Sequence, residues 1–183
     1  EDVIAAKPSV VLTMGGGGRA TALLARRVGI EAVDLRFVST LDDVAANFRT
    51  VASALGDPSR AEPWVRRLNA LRRSSPPGAK DAIWISGSGI SIDPDSAGGR
   101  WMRLAGLRQR PLTGGRASLE TLLVDPPEVL LRSDYRSGQA SRGVRWFDHP
   151  VVRRVKSKRV TTDGRAWTCM GPLLIAETER LRR

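Results

Sequence analysis

The sequence has few of the residues on which metal and redox chemistry depend. Among its 183 residues there is one cysteine, Cys169, and one histidine, His149. A single cysteine excludes an internal disulfide. A bare zinc or manganese ion needs several nitrogen or carboxylate ligands that converge, and one histidine cannot supply such a cage. We therefore predict no metal site made of protein ligands alone, and we interpret His149 as the residue at which a helix begins before Pro150.

Long apolar runs and several well-known motifs are also missing. The longest apolar runs, Val10–Met14 and Pro172–Ala176, fall far short of the roughly 18 to 20 residues that a transmembrane helix needs. The glycines of Gly15–Gly18 fit neither the P-loop pattern nor the dinucleotide-binding fingerprint, so a phosphate cradle is not expected. No Gly-x-Ser-x-Gly elbow presents a nucleophile. We find no catalytic constellation and predict that the protein is not an enzyme.

Positive charge, in contrast, is abundant. Lysine and arginine together number 30 against 19 acidic residues, which gives a formal net charge of +11. Such a balance raises nucleic acid as a partner. The basic residues are spread along the whole chain, however, and they lack the interleaved aromatic residues of single-strand binders. We therefore expect no nucleic-acid partner. A basic nucleic-acid-binding protein is kept only as an alternative to the function inferred below.

Strand and helix patterns alternate along the chain. Short apolar runs predict strands at Val10–Met14, Asp81–Ser86 and Glu128–Ser133, and apolar residues at helical spacing predict the helices between them. Thr40 and Ser118 are placed to cap two of these helices. Other helices are predicted at Arg100–Ala105 and Pro172–Leu181, and Thr168–Gly171 is predicted as a turn. Trp84 is expected to face the core from its strand. The cluster Ser74–Gly78 is the strongest breaker in the chain. This alternation predicts an α/β fold with mainly parallel sheets.

An internal repeat suggests two similar units. Residues 1–12 align with residues 120–131 without a gap, and Pro8 falls on Pro127. Both copies read as a helix, a proline turn, a buried strand and a loop. We infer two lobes, in which the loops at the carboxyl ends of the strands line a cleft.

The repeat also sets the expected domain boundaries. A partial amino-terminal lobe covers residues 1–57, a linking helix covers 58–75, and a carboxyl-terminal lobe covers 76–183. The second copy is preceded by a strand, a loop and a helix that have no counterpart before the first copy. We therefore interpret the first lobe as incomplete, either because the sequence is a fragment or because the lobe is reduced.

Several short segments follow one another in a specific order. They are the repeated glutamate and proline segment, Thr40-Leu41-Asp42, Ala54-Leu55-Gly56, a single linking helix, Ser118-Leu119-Glu120, His149-Pro150 and the stretch from Trp167 to Pro172. Their order and spacing resemble those of the cobalamin and ferric-siderophore substrate-binding proteins of bacterial ABC importers. The resemblance covers nearly the whole chain. It implies two α/β lobes that are bridged by one rigid helix, here Pro58–Arg73.

The resemblance implies a function as well. Such a protein captures a metal chelate between its lobes and delivers it to an ABC permease in the inner membrane. The ligand would be a ferric siderophore, cobalamin or haem, and no cofactor of the protein's own is implied. We expect a monomer in the periplasm or anchored by lipid at the cell surface, although no export signal is visible in this chain. Net positive charge favours anionic chelates. A two-lobed metal-cluster or chelatase-type enzyme is the remaining alternative, but it would need cysteine or histidine ligands.

The resemblance also places candidate site residues. The ligand-binding candidates are Gly16, Gly17, Arg19, Ser88, Tyr135, Arg136 and Trp167. Tyr135 could bind a chelate or ligate haem iron through its phenolate, or it could pack against the lobe surface. Glu1 and Glu120 match the surface glutamates that dock on permease arginines in that family. A carboxylate two residues after a helix cap is also favoured by the helix dipole alone, so Glu120 has a second explanation.

Overall fold

The computed structural model describes residues 5–135 and 146–183. The chain divides into two compact units, one up to Asn69 and the other from Ala70. Each unit has its own parallel sheet, which confirms the predicted α/β class. Within the described ranges, no helix combines the length and the apolar character that crossing a bilayer requires.

The first unit contains a two-stranded parallel sheet. Strand β1 (Val10–Met14), helix α1 (Arg19–Arg27) and strand β2 (Glu31–Leu35) form a strand-helix-strand crossover. Val10 and Met14 pair with the first and last residues of β2, so the two strands are in register over their full length. The bounds of β1 are those that the sequence predicts.

Helix α2 (Leu41–Ala54) begins where the sequence predicts, because Thr40 caps it. The Asp43 backbone N–H donates to the Thr40 hydroxyl at 3.2 Å, and the Thr40 N–H donates to the Asp43 carboxylate at 2.8 Å. This capping box satisfies two donors that the first turn would otherwise leave free. The same contacts, the side-chain hydrogen bond from Thr40 above all, hold the pKa of Asp43 below its ordinary value.

The linking segment is less regular than predicted. A 3-10 turn at Pro58–Ala61 precedes helix α3 (Glu62–Arg73), so the α-helix begins four residues after the expected start at Pro58. The physical reason is local, because the Asp57 carboxylate accepts hydrogen bonds from the side chains of Ser59 and Arg60 and holds a tight turn.

The second unit contains a four-stranded parallel sheet. Its strands are β3 (Lys80–Ile85), β4 (Leu107–Gln109), β5 (Val129–Asp134) and β6 (Lys158–Asp163), and their spatial order is β4-β3-β5-β6. The central strands β3 and β5 are the most buried. This is the usual arrangement in parallel sheets, in which continuous apolar runs occupy the middle strands.

In the described ranges of this unit, five α-helices accompany the sheet. They are α4 (Ala97–Leu104), α5 (Leu119–Val124), α6 (Pro150–Arg154), α7 (Gly164–Cys169) and α8 (Pro172–Leu181). Helix α8 has the predicted bounds, and Ser118 caps α5 as predicted by accepting the Thr121 N–H at 3.0 Å. Helix α6 begins after His149, whose Nδ1 accepts the Val151 N–H at 3.3 Å. The interpretation of His149 as a helix-start residue is therefore confirmed.

Three predictions for this unit need correction. Helix α4 begins at Ala97 and not at Arg100, because the Ser96 hydroxyl caps it by accepting the Gly99 N–H at 3.2 Å. Strand β4 was not predicted, since three residues are too few to show a period. The segment around Thr168 was predicted as a turn but forms helix α7, which Asp163 caps by accepting the Arg165 N–H at 2.9 Å.

The structure agrees with the repeat where it can be compared. Strands β1 and β5 begin at Val10 and Val129, which are aligned positions, and each strand has a parallel neighbour. The two strands belong to separate sheets and not to one continuous sheet. Residues 1–4, which carry the first half of the helix predicted at Asp2–Lys7, lie outside the described part of the chain.

Candidate functional site

The second unit has a cavity at the carboxyl end of its sheet. The cavity measures about 340 Å³. Ser86 follows the end of β3, Asp134 ends β5, and Gly164 follows the end of β6, and all three residues line the cavity. In open parallel sheets, ligands bind beyond the carboxyl ends of the strands, so this is where a binding site is expected.

Aromatic side chains form much of the cavity wall. The ring centroids of Trp84 and Trp167 are 5.9 Å apart and their planes are tilted by 54°. These side chains are 8% and 5% exposed. Phe147 also lines the cavity, and the Arg132 guanidinium lies 4.7 Å from the centre of its ring. Such a wall offers flat apolar surface to a ligand that contains a ring system.

Trp167 is held in place by a chain of hydrogen bonds. Its indole N–H donates to the Thr162 hydroxyl at 2.7 Å, and this hydroxyl donates to the Glu177 carboxylate at 2.5 Å. The Arg180 guanidinium donates to both oxygens of that carboxylate, at 2.7 and 2.8 Å. Burial alone would raise the pKa of Glu177, but the hydrogen bonds from Arg180 and Thr162 outweigh it, so this pKa lies below its ordinary value. Glu177 therefore stays charged at neutral pH.

Tyr135 lies between this cavity and a second recess of about 510 Å³. Its side chain is 52% exposed and lines both. In the second recess, the Arg165 guanidinium binds the Asp163 carboxylate with a shortest contact of 2.7 Å. The hydrogen bond to Asp163 is the main reason that the pKa of Arg165 is raised, and the Tyr135 phenol contributes electrostatically. A cation thus lies within electrostatic reach of the phenol.

Gly164 allows the chain to pass close to the end of β5. A Cβ at this position would lie 3.0 Å from both the Ser133 Oγ and the Tyr135 backbone nitrogen. Most Cβ atoms have no contact as close as this, so a side chain here would require its neighbours to shift by a few tenths of an ångström, and glycine permits the close approach of α7 to β5.

The glycine loop of the first unit has a different character. The Gly16 N–H donates to the Asp34 carboxylate at 3.2 Å, and the Thr13 hydroxyl donates to it at 2.6 Å. The Gly15 and Gly17 N–H groups donate to backbone carbonyls at 2.8 and 3.0 Å. Since a carboxylate already occupies the position at which an anion would bind, the loop does not act as a phosphate cradle. This agrees with the prediction from the sequence.

The structure places the predicted ligand-binding residues in two groups. Gly16, Gly17 and Arg19 line a recess of about 320 Å³ in the first unit. Tyr135 and Trp167 line the cavity of the second unit. Their role as ligand contacts stays a prediction.

The remaining predicted residues lie elsewhere. Ser88 is in a 3-10 turn with a φ of 62° and is not among the residues that line the cavity. Glu120 is exposed in the first turn of α5, and among the described residues it has no ion-pair partner. Glu1 and Arg136 lie outside the described residues. The part of the chain that is described contains no group of three or more histidine, cysteine or acidic residues that could hold a metal ion.

Sequence reasoning missed several residues that shape this site. Trp84 was interpreted as a core residue and is buried, but it also lines the cavity. Phe147, Thr162 and Glu177 were not singled out. Trp84 could have been identified as a site residue, because it lies near the end of a predicted strand. The sequence gives no such signal for Thr162 and Glu177, because their contacts depend on the packing of a helix against β6.

The comparisons with known proteins concern the fold. No family model and no curated protein sequence matches the chain. Among solved structures, the apo form of the periplasmic heme-binding protein RhuT from Roseiflexus sp. RS-1 is similar with a TM-score of 0.71 and 18% identity, over 98% of this chain and 78% of that one. A periplasmic heme-binding protein from Pseudomonas aeruginosa has a TM-score of 0.70 and 19% identity, over 98% of this chain and 72% of that one.

A third similar structure binds a different ligand. The periplasmic vitamin B12 binding protein BtuF of Vibrio cholerae has a TM-score of 0.65 and 18% identity, over 99% of this chain and 75% of that one. These similarities show that the chain has the fold of these binding proteins, as the resemblance in the sequence implied.

Proposed function

We propose that the protein is the substrate-binding component of an ABC importer and that it binds a tetrapyrrole chelate, haem or a corrinoid, at the carboxyl edge of its four-stranded sheet. The observation that carries this proposal is the aromatic cavity at that edge, in a chain with the fold of haem-binding and vitamin B12-binding proteins. Trp84, Phe147 and Trp167 supply apolar ring surface to a planar macrocycle.

Tyr135 supports haem within this class. It is the only tyrosine of the chain, it is half exposed, and it lies at the border of the cavity. A tyrosine phenolate is one of the side chains that hold haem iron in proteins. Tyr135 would therefore be the ligand to the iron.

The charges at this edge bear on the type of chelate. Each of the three carboxylates that line the cavity and the adjoining recess has an arginine partner: Asp134 pairs with Arg132, Asp163 with Arg165 and Glu177 with Arg180. The positive net charge of the protein is thus not concentrated here. This supports a ligand whose recognition depends on apolar ring surface more than on a high negative charge.

The fold also supports the wider assignment. If the protein acts as the names of the structurally similar proteins indicate, it binds its ligand without catalysis in the periplasm or at the cell surface. It then delivers that ligand to a permease. The ligand cleft between lobes and the docking of Glu120 on a permease stay predictions. A ferric siderophore is the second candidate ligand, and the titration below distinguishes it.

A titration tests the proposal. The protein is titrated with haemin, cyanocobalamin and an anionic ferric catecholate chelate, while tryptophan fluorescence is followed. We expect saturable quenching by haemin or cyanocobalamin, because Trp84 and Trp167 line the cavity. Trp167→Phe should reduce the quenching, whereas Trp64→Phe should not, since Trp64 is not among the residues that line the cavity. Tyr135→Phe should change the Soret band of the haem complex.

The same titration can contradict the proposal. Quenching by the catecholate chelate alone would favour the siderophore. If none of the three ligands bound to a correctly folded protein, the proposed function would be wrong. An unchanged Soret band in Tyr135→Phe would remove Tyr135 as the iron ligand while leaving haem binding intact.

A further inference from the structure

The four-stranded sheet has another cavity, here called the amino-edge cavity, at the edge where its strands begin. This cavity measures about 410 Å³. It lies where the strands begin, because Lys80, Leu107, Val129 and Lys158 are the first residues of β3, β4, β5 and β6 and all four line it. Six strand residues at about 3.3 Å each separate the two edges by roughly 20 Å. In the described chain, the amino-edge cavity shares no lining residue with the aromatic cavity, and Arg180 is the one residue that lines both it and the recess beside Tyr135.

The charge of the amino-edge cavity is of one sign. Among the residues that the structure describes, five cationic ones line it and no acidic one does; the cationic residues are Lys80, Lys158, Arg180, Arg182 and Arg183. Arg180 is paired with Glu177. Within the described part of the chain, the side chains of Lys80, Lys158 and Arg183 have no hydrogen bond or ion pair. At the carboxyl edge, by contrast, each acid that lines the aromatic cavity or the adjoining recess has an arginine partner.

Arg182 gives the cavity a cation whose position is fixed. Its guanidinium donates to the Leu104 carbonyl at 2.6 Å, to the Leu71 carbonyl at 2.7 Å and to the Ser74 hydroxyl at 2.8 Å. All three acceptors are neutral, so these bonds orient the guanidinium without cancelling its charge. Burial is the main influence on the pKa of Arg182 and lowers it, while Glu179 opposes this effect. The group remains a cation at neutral pH, because an arginine side chain is in effect always protonated.

We propose that this amino-edge cavity binds a phosphate group. Several cations around a small recess match a doubly charged anion with several oxygen acceptors better than they match a single carboxylate. Guanidinium groups bind phosphate through parallel N–H donors, and lysine ammonium groups add point charges. The phosphate group belongs either to a free phosphate compound or to the headgroup of an anionic phospholipid, and both present the same chemistry to the cavity.

The four lysines of the chain provide a matched experiment. Lys80 and Lys158 line the cavity, whereas Lys7 and Lys156 do not, and all four are exposed. Lys80→Gln/Lys158→Gln and the control Lys7→Gln/Lys156→Gln therefore remove the same charge from different places. Calorimetric titration with pyrophosphate, at constant ionic strength, compares both variants with the unchanged protein. Flotation with vesicles of phosphatidylglycerol or phosphatidylcholine forms the second arm.

The expected result separates the two variants. The cavity variant should bind at least about tenfold more weakly, which corresponds to about 1.4 kcal/mol, since it loses two charge-assisted contacts to the phosphate. The control should bind like the unchanged protein. Binding of pyrophosphate identifies a soluble source of the phosphate, and binding only to phosphatidylglycerol vesicles identifies a lipid source. Binding of neither probe, or equal losses in both variants, would overturn the proposal, whatever the outcome of the chelate titration.

Discussion

Replacing Thr162 with valine tests the chain of hydrogen bonds that holds the aromatic wall. Thr162 is 2% exposed, and its hydroxyl accepts the Trp167 indole N–H while it donates to Glu177. Valine has nearly the same shape as threonine but neither accepts nor donates. The substitution therefore removes two hydrogen bonds without creating a cavity, and it leaves a buried indole N–H without an acceptor.

The magnitude follows from what each partner loses. A buried donor that is left unsatisfied costs about 1–3 kcal/mol. Glu177 also loses one donor, but it keeps the Arg180 guanidinium and the Asp163 N–H, so its loss should be near the lower end of what a charged hydrogen bond contributes, about 1.5 kcal/mol. Together these losses should lower the free energy of unfolding by roughly 2.5–4.5 kcal/mol.

Thr178 provides the matched control. It is fully buried in the same unit, and its hydroxyl donates only to the Leu174 carbonyl, at 2.7 Å. That carbonyl is four residues earlier in helix α8 and also receives the helical N–H of Thr178. Thr178→Val therefore leaves no acceptor without a donor, and its cost should be no more than about 1 kcal/mol.

Urea unfolding followed by circular dichroism measures both variants. The difference between them should appear as a lower midpoint for Thr162→Val with an unchanged slope, because the slope reports the surface exposed on unfolding. If Thr162→Val were no less stable than Thr178→Val, the hydrogen bonds through Thr162 would not stabilise the cavity wall, and the reasoning above would be wrong.

Two further predictions concern the same unit. Because the pKa of Glu177 is lowered from its ordinary 4.5, its ionised form stabilises the fold above that pH, and this contribution is lost as the pH falls below it. Glu177→Gln should therefore be less stable at neutral pH, but it should lose less stability between pH 7 and acidic pH than the unchanged protein. Urea unfolding at several pH values measures this, and parallel stability curves for the two proteins would contradict it. A Cβ at Gly99 would lie 2.1 Å from the Pro94 carbonyl oxygen, so Gly99→Ala should clearly lower the midpoint of thermal unfolding. A Cβ at Gly78 would meet no atom within 4 Å, so the control Gly78→Ala should leave that midpoint unchanged. Equal midpoints for the two variants would show that the loop before α4 moves freely.

Local patterns in the sequence predicted much of the fold. Thr40 and Ser118 cap helices as expected, helix α8 has its predicted bounds, and the repeat correctly aligned the starts of β1 and β5. These features depend on residues within one turn or one strand of each other. The start of α4 and the existence of α7 were missed. The need for glycine at Gly99 and Gly164 arises only from the neighbouring chain segments that they approach, and the sequence does not show these contacts.

The candidate site was predictable only in part. Tyr135 and Trp167 were found because they follow predicted strands or belong to the segments that carry the resemblance. Glu177 was not found, because a glutamate in an amphipathic helix has the same appearance in sequence whether it faces water or a buried threonine. Its role arises only when α8 packs against β6 and brings its carboxylate to Thr162.

The sequence by itself determined the alternation of strands and helices, the capping of the helices and the excess of positive charge, since each of these is set by neighbouring residues or by composition. The tertiary structure alone decided where that charge lies. Lys80 and Lys158 are far apart along the chain, and they line one cavity because parallel strands bring all their amino ends to the same edge of the sheet. Arg182 lines the same cavity from the end of helix α8.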